Sequence, residues 1–158
     1  VKSKDFSSLI KAIYLIKNDL NVELKIVGSG PEKKLLKNEI IKFGLENICK
    51  IENYALNIEN YYSNSDIYIS SSLYESFGNT LVEAMRFNLK IISTDCKYGP
   101  REILEDGKFG YLVKLKSPES IAEAIKKTAL LKKTPDYKKC LERFSMQTIL
   151  NNYESLRA

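Results

Sequence analysis

Histidine and tryptophan are both absent from the 158 residues, and cysteine is scarce. Without histidine no Ser-His or Cys-His nucleophile and no histidine-ligated metal can be built. Any general acid or base must therefore be Glu, Asp, Lys or Tyr. Cys49, Cys96 and Cys140 are odd in number, widely spaced and without metal-ligand spacing. That pattern suits a reducing compartment and thiols used in core packing. Long apolar runs are also lacking: nothing approaches the ~20 residues needed to span a bilayer, and no charged-then-apolar leader opens the chain. The segment is expected to be cytoplasmic. Arginine is sparse, limited to Arg86, Arg101, Arg143 and Arg157, so the net charge of +5 rests on lysine pairs such as Lys33-Lys34, Lys126-Lys127, Lys132-Lys133 and Lys138-Lys139. Scattered lysines on helices are solvated faces rather than a nucleic-acid footprint, and no nucleic-acid partner is expected. A basic surface fits instead an anionic nucleotide substrate or peripheral contact with anionic lipid at the cytoplasmic membrane face.

What is present is an ordinary globular composition, 44% hydrophobic and 28% charged, and a length that fits one domain with a sizeable core. Apolar residues at Phe6, Leu9, Ile10, Ile13 and Tyr14 mark a helix opened by Asp5 as a cap. Val22 to Val27 alternates as a strand and ends in Gly28-Ser29-Gly30-Pro31, where Pro31 begins a helix that Gly44 stops. Further strands are expected over Ile48 to Ile51, Ile67 to Ser71, Lys90 to Thr94 and Gly110 to Val113. Helical segments are expected at Ile58 to Ser63, Asn79 to Phe87, Pro100 to Leu104, from Ser117-Pro118 onward, Tyr137 to Phe144 and Ser145 to Leu156. Short strands alternating with helices, with few hairpin signals, predict a doubly wound, mostly parallel sheet with helices on both faces. Ligands in such folds bind at the carboxyl ends of the strands, where the loops at Gly28 to Pro31, Asn53 to Asn57, Ser71 to Gly78 and Asp95 to Pro100 all fall.

The stretch Ser70 to Glu83, Ser-Ser-Ser-Leu-Tyr-Glu-Ser-Phe-Gly-Asn-Thr-Leu-Val-Glu, is the most informative. A strand enters a polar loop there and a helix leaves it, with Asn79 or Thr80 as its cap. The carboxylates of Glu75 and Glu83 bracket the corner. Free main-chain N–H groups at the helix start favour phosphate oxygens, Gly78 lets a ligand approach closely, and an acid one turn further can accept from ribose hydroxyls. Taken alone, the spacing reads first as a glycine turn with two surface acids, and it is the other motifs around it that favour a ligand site. Gly28-Ser29-Gly30 lacks the third glycine of a dinucleotide fingerprint and is equally a plain strand-to-helix turn.

In order, Lys4-Asp5-Phe6, Leu24 to Pro31, Tyr74-Glu75-Ser76-Phe77-Gly78 with Glu83-Ala84, and Gly99-Pro100-Arg101-Glu102-Ile103 with Asp106-Gly107 and Gly110 to Val113 resemble the retaining, nucleotide-sugar-dependent glycosyltransferases of the GT-B fold, family 4. The resemblance covers essentially the whole chain, but only the carboxy-terminal, donor-binding half of such an enzyme. It implies a Rossmann-like domain over 1–158 that is part of a longer two-domain hexosyltransferase. That enzyme would move a sugar from a nucleoside diphosphate carrier, with UDP expected, to a glycan or lipid-linked acceptor held by an amino-terminal half. The resemblance further implies Glu83 on the ribose, where a buried, acceptor-only carboxylate suits a diol. Glu75 would lie beside the transferred sugar and Lys4 on the departing diphosphate. Main-chain amides from Phe77 through Gly78, Asn79 and Thr80 would meet sugar and phosphate oxygens, and Gly28 and Gly30 would line the donor. Tyr54 lies where the family holds the base, open either to stacking on uracil or to packing. No metal and no separate cofactor is expected. The isolated segment is expected to be inactive.

The chain begins after the point where the family has its first strand and a Gly-Arg pair, so that strand is expected to be missing. In a 3-2-1-4-5-6 order its place is central, and a gap should open in the sheet. Arg101 is expected to pair with Glu102 or Glu105, with reach to a phosphate as the other use, and Tyr61, Tyr62 and Phe109 are expected in the core. A non-catalytic nucleotide- or anion-binding regulatory module and a structural domain with basic helices are the competing readings.

Overall fold

Strand and helix alternate along the chain as the apolar pattern predicts. The computed structural model describes residues 2–149, so most of the helix expected over Ser145 to Leu156 lies outside them; residues 146–149 are helical. A 3-10 turn (Lys2–Lys4) leads into α1 (Phe6–Ile16), β1 (Leu24–Val27), α2 (Lys33–Lys42), β2 (Cys49–Glu52), α3 (Glu59–Ser63) and β3 (Ile67–Ser70). There follow α4 (Asn79–Arg86), β4 (Lys90–Thr94), α5 (Pro100–Ile103), β5 (Tyr111–Val113), α6 (Pro118–Ala129) and α7 (Lys138–Glu142).

Among the described residues all strand pairing is parallel, but it falls into two sheets, β1-β2 and β3-β4-β5. Among the described residues no strand pairs with the second edge of β1 or β3. This is the divide expected where a central strand would run. Side chains still bridge it: Leu24 and Ile26 of β1 share one apolar cluster with Ile67 and Ile69 of β3, Ile92 of β4 and Val113 of β5.

Period-two alternation assigns the layers. On β4, Ile92 faces the cluster built with α1, α2 and α6, whereas Ile91 faces a second cluster built with α4, α5 and α7. Neighbouring strands follow suit, with Ile67 and Ile69 in the first cluster and Tyr68 in the second. The three-stranded sheet is thus covered on both faces. The β1-β2 sheet departs from that expectation: Lys25 and Lys50 stand opposite each other in the register and are both exposed. Leu24, Ile26 and Cys49 on the alternate positions are buried beneath α1 and α2.

Two local expectations fail for backbone reasons. Asp5 adopts the left-handed conformation (φ 44°) and makes no side-chain cap, so α1 starts without one. Pro31 and Glu32 form a turn closed by the Lys33 N–H on the Gly30 carbonyl (3.2 Å), and the helix begins only after it. Other signals act as expected. Ser117 accepts from the Ser120 N–H (3.2 Å) ahead of Pro118, and Gly44 takes a positive φ of 62° as it ends α2. The three cysteines are free and buried.

Two stability predictions rest on buried groups. The Tyr137 hydroxyl donates to the Leu89 carbonyl at 2.8 Å inside the second cluster, so Tyr137→Phe is expected to cost about 1–2 kcal/mol, read as a lower urea midpoint at unchanged m-value. Burial pushes the Cys49 thiol from its ordinary 9.0 to about 11 and the Tyr68 phenol from 10.0 to about 12, and raises Tyr137 as well. These groups lose protons more readily in the unfolded chain. Stability should therefore be fully present below pH 9 and fall as pH rises through 11 to 12. Each pH unit separating the folded from the unfolded value is worth about 1.4 kcal/mol. Urea midpoints that stay level from pH 8 to pH 11 would contradict this.

Candidate functional site

The end of β3 runs into three consecutive buried serines, Ser70, Ser71 and Ser72, at 6%, 2% and 1% exposure. Hydroxyls can be buried so deeply only with partners. Ser71 Oγ donates to the Lys4 carbonyl at 2.6 Å, and the Leu73 N–H donates to the Ser3 carbonyl at 2.7 Å. The 3-10 turn is thereby fastened to the loop after β3. Thr94, buried at the end of β4, donates its hydroxyl to the Ser72 carbonyl. Neighbouring strand ends and the N-terminal turn are thus knitted by side-chain-to-backbone bonds.

That fastening brings Lys4 and Glu75 together across 71 residues of sequence, with Lys4 Nζ on Glu75 Oε1 at 2.5 Å. Ser72 Oγ donates to the same carboxylate oxygen at 2.7 Å. The Glu75 side chain is 15% exposed and that of Lys4 is 41% exposed, so the acid is held while the ammonium keeps a face to solvent. A lysine ammonium has three donors, and Glu75 engages one of them. The Glu75 main-chain N–H meets the buried Cys96 thiol, which burial and the Glu75 charge push upward.

Beyond Glu75 the loop turns into α4 at Gly78, which has φ 101° and is the N-cap. This corrects the expectation of Asn79 or Thr80 as cap: both lie inside α4, and no side chain caps its start. The first-turn N–H groups therefore lack a side-chain acceptor, and the helix dipole adds to their attraction for an anion. Gly78 cannot readily be replaced, since a Cβ would stand 3.2 Å from Leu81 Cδ1 on a positive-φ backbone. Gly99 is tighter still: a Cβ there would fall 1.8 Å from the Phe77 carbonyl oxygen, at φ 85°. Its bare backbone lets the loop after β4 press on the loop of Glu75. The Phe77 ring turns inward and meets Phe144 edge-on at 5.3 Å, leaving its main chain to shape the corner.

Glu83 lies on α4 one turn past Gly78 and is exposed rather than buried. Its Oε2 accepts from the Tyr62 hydroxyl at 3.0 Å. The Tyr68 phenol meets the Thr80 side chain and senses the charges of both Glu75 and Glu83, so the two acids flank one ring at the sheet end. Lys4, Glu75, Gly78, Thr80 and Glu83 accordingly share one corner.

Gly28, Gly30 and Tyr54 stand at the ends of β1 and β2, on the other sheet. Gly28 continues the ladder through its N–H on the Glu52 carbonyl (3.1 Å) and has φ 143°. Tyr54 is 75% exposed, which leaves its ring unpacked on the loop. Nearby, Lys33 Nζ donates to Asn53 Oδ1 at 2.5 Å and the Tyr61 hydroxyl donates to Glu52. Tyr61 is therefore a half-buried polar partner and not core, whereas Tyr62 and Phe109 are buried as expected. Arg101 pairs with Asp95 and Asp106, not with Glu102 or Glu105. The loops on either side of this single-turn helix bring the two aspartates to it, while Glu105 is taken by Lys108 and Arg143.

Sequence reasoning missed Ser71, Ser72, Thr94, Tyr62 and Gly99 as parts of the corner. A run of three serines at a strand end was the available signal for the first two, since such hydroxyls need acceptors. The others are joined to it by contacts distant in sequence.

Comparison with known proteins bears on the family and the fold. An uncharacterised glycosyltransferase of Methanocaldococcus jannaschii is 36% identical over 124 residues, which are 70% of this chain and 30% of that protein. The crystal structure of TarM superimposes with a TM-score of 0.86 at 27% identity, covering 99% of this chain and 33% of that one. The pneumococcal O-GlcNAc transferase GtfA, solved in complex with UDP and GlcNAc, gives 0.81 at 27% identity over 99% and 33%. Residues 1–143 match the family of glycosyl transferases group 1, and the chain belongs to that family. Its architecture is that of a Rossmann-like domain of the GT-B fold, and it spans about a third of the length of these proteins.

The contact at Gly99 carries a prediction for the site. Gly99→Ala is expected to push the two loops apart and destabilise the protein by more than about 2 kcal/mol, whereas Gly107→Ala, with 3.6 Å to its nearest atom, should lose less. Comparing the two melting temperatures checks it, because both sites share the positive-φ penalty and differ in steric overlap.

Proposed function

We propose that this chain is the donor-binding half of a retaining glycosyltransferase that moves a hexose-type sugar from a UDP-sugar to a glycan or lipid-linked acceptor in surface polysaccharide or glycoconjugate synthesis. The observation that carries the reading is the meeting of Lys4 and Glu75 beside the uncapped start of α4, with Glu83 one turn on. The pneumococcal GtfA was solved with UDP and GlcNAc, which favours UDP as the carrier here.

Transfer separates charge: the diphosphate leaves with electrons while the anomeric carbon becomes electron-poor. Main-chain N–H groups of residues 78–80 and the Lys4 ammonium would hold the phosphate oxygens, and such preorganised donors lower barriers more than most single devices. Lys4 suits this because its Glu75 contact fixes the ammonium while 41% of the side chain stays exposed. Glu75, with Ser72 and Lys4 on one oxygen, would turn its other oxygen toward a sugar hydroxyl or the positive anomeric carbon. Glu83 would accept from the ribose diol, and Gly28, Gly30 and Tyr54 would meet the base across the divide. The donor is a substrate, and no separate cofactor or metal enters this scheme. No helix among the described residues is long and apolar enough to cross a membrane. A cytoplasmic enzyme touching the membrane face through its basic surface is the location this reading favours.

Calorimetric titration of the full-length protein with UDP, GDP and ADP is the test. UDP should bind most tightly. Glu83→Ala should lose at least about tenfold, and Lys4→Ala should weaken UDP more than uridine, because the lysine meets phosphate. Equal binding of all three nucleotides, or of any polyanion with steep salt dependence, would overturn the reading.

A further inference from the structure

Glu83 is an exposed acid on a long, flexible side chain, and an unrestrained glutamate surrenders rotamer freedom when it grips a ligand. Here it is already gripped. Tyr62, 7% exposed on α3, donates its hydroxyl to Glu83 Oε2 at 3.0 Å. The ring that carries this hydroxyl is itself fixed: it stacks on Phe87 (5.4 Å between centroids, 25°) and meets Tyr68 edge-on at 6.0 Å. Phe87 follows directly on α4, so the clamp and the acid it holds are braced on the same helix. A carboxylate offers about four lone-pair sites, and one phenol bond leaves enough for a pair of vicinal hydroxyls.

We infer that Tyr62 is a positioning residue that pre-sets Glu83 for the ribose diol of the donor nucleotide, so that selectivity for ribose over deoxyribose depends on a hydroxyl that never touches the ligand. The inference rests on the nucleotide-binding reading above and adds to it a residue whose sequence pattern marks it only as core. Burial, the Tyr68 ring and the Glu83 charge all raise the phenol's pKa, so it stays a donor throughout the neutral range. α3 also follows directly on the loop of Tyr54, so the segment offered to the base supplies the brace for the ribose acid.

The test titrates full-length wild type and Tyr62→Phe with UDP and with 2′,3′-dideoxy-UDP. The phenylalanine keeps the ring stack and removes only the hydroxyl. UDP affinity should fall about five- to tenfold in the variant while dideoxy-UDP affinity changes less than about twofold, and in a Glu83→Ala background Tyr62→Phe should cause no further loss. The ratio of the two affinities is read within each variant, so partial unfolding, which scales both, does not alter it. An unchanged ratio overturns the inference and leaves the nucleotide reading standing. Failure of wild type to bind either ligand overturns both.

Discussion

The corner at the end of β3 depends on the latch between the N-terminal turn and the serine run. Ser71 holds the Lys4 carbonyl and Leu73 holds that of Ser3, in the same turn whose lysine ammonium meets Glu75. The ion pair alone would be a weak organiser. Partly exposed pairs contribute little once side-chain entropy and screening are counted. The main-chain latch brings the two partners together beforehand, so the pair loses less freedom when it forms. On the far side, the Gly99 backbone braces the same loop through contact with Phe77, where no larger residue fits.

Charge at this corner is held in place by neighbours. Glu75 receives Ser72 and Lys4 on one oxygen, and Glu83 receives Tyr62 on one of its own. Each acid thus presents one oxygen already partnered within the protein. The start of α4 carries no side-chain cap, because a glycine in the left-handed region sits where a capping side chain would otherwise be. A cap would stabilise the helix by roughly 1 kcal/mol but would occupy the donors that an anion needs. Stability withheld at a helix start is a pattern expected where a site rather than a core is being built.

Much of the architecture was legible because it rests on local periodicity. Alternation on β3 and β4 and the apolar stripes of α1 and α6 identify the elements and the layers they join. The divide between β1 and β3 was legible from the family resemblance, through the strand order. The corner of Glu75, Gly78 and Glu83 was visible as a strand-loop-helix pattern. What escaped were long-range partners. Tyr62 looks like core by composition, and its bond to Glu83 spans 21 positions. Arg101 offered two acids close in sequence, yet the fold chose Asp95 and Asp106. Asp5 carries the capping side chain but not the backbone conformation that capping requires. Glu83 was expected buried for its role and is instead open to solvent, held by a buried partner.

The division into two sheets sets how the domain can open. Within each sheet, strands are fastened by directional ladders, but from β1 to β3 the described residues offer apolar contact through Leu24, Ile26, Ile67 and Ile69. Such contact resists separation without fixing an angle, so it behaves as a greased seam rather than a weld. Helix α1, packed on both α2 and α6, covers that seam, so a molecule touching both rims would staple together two sheets that share a core but no ladder.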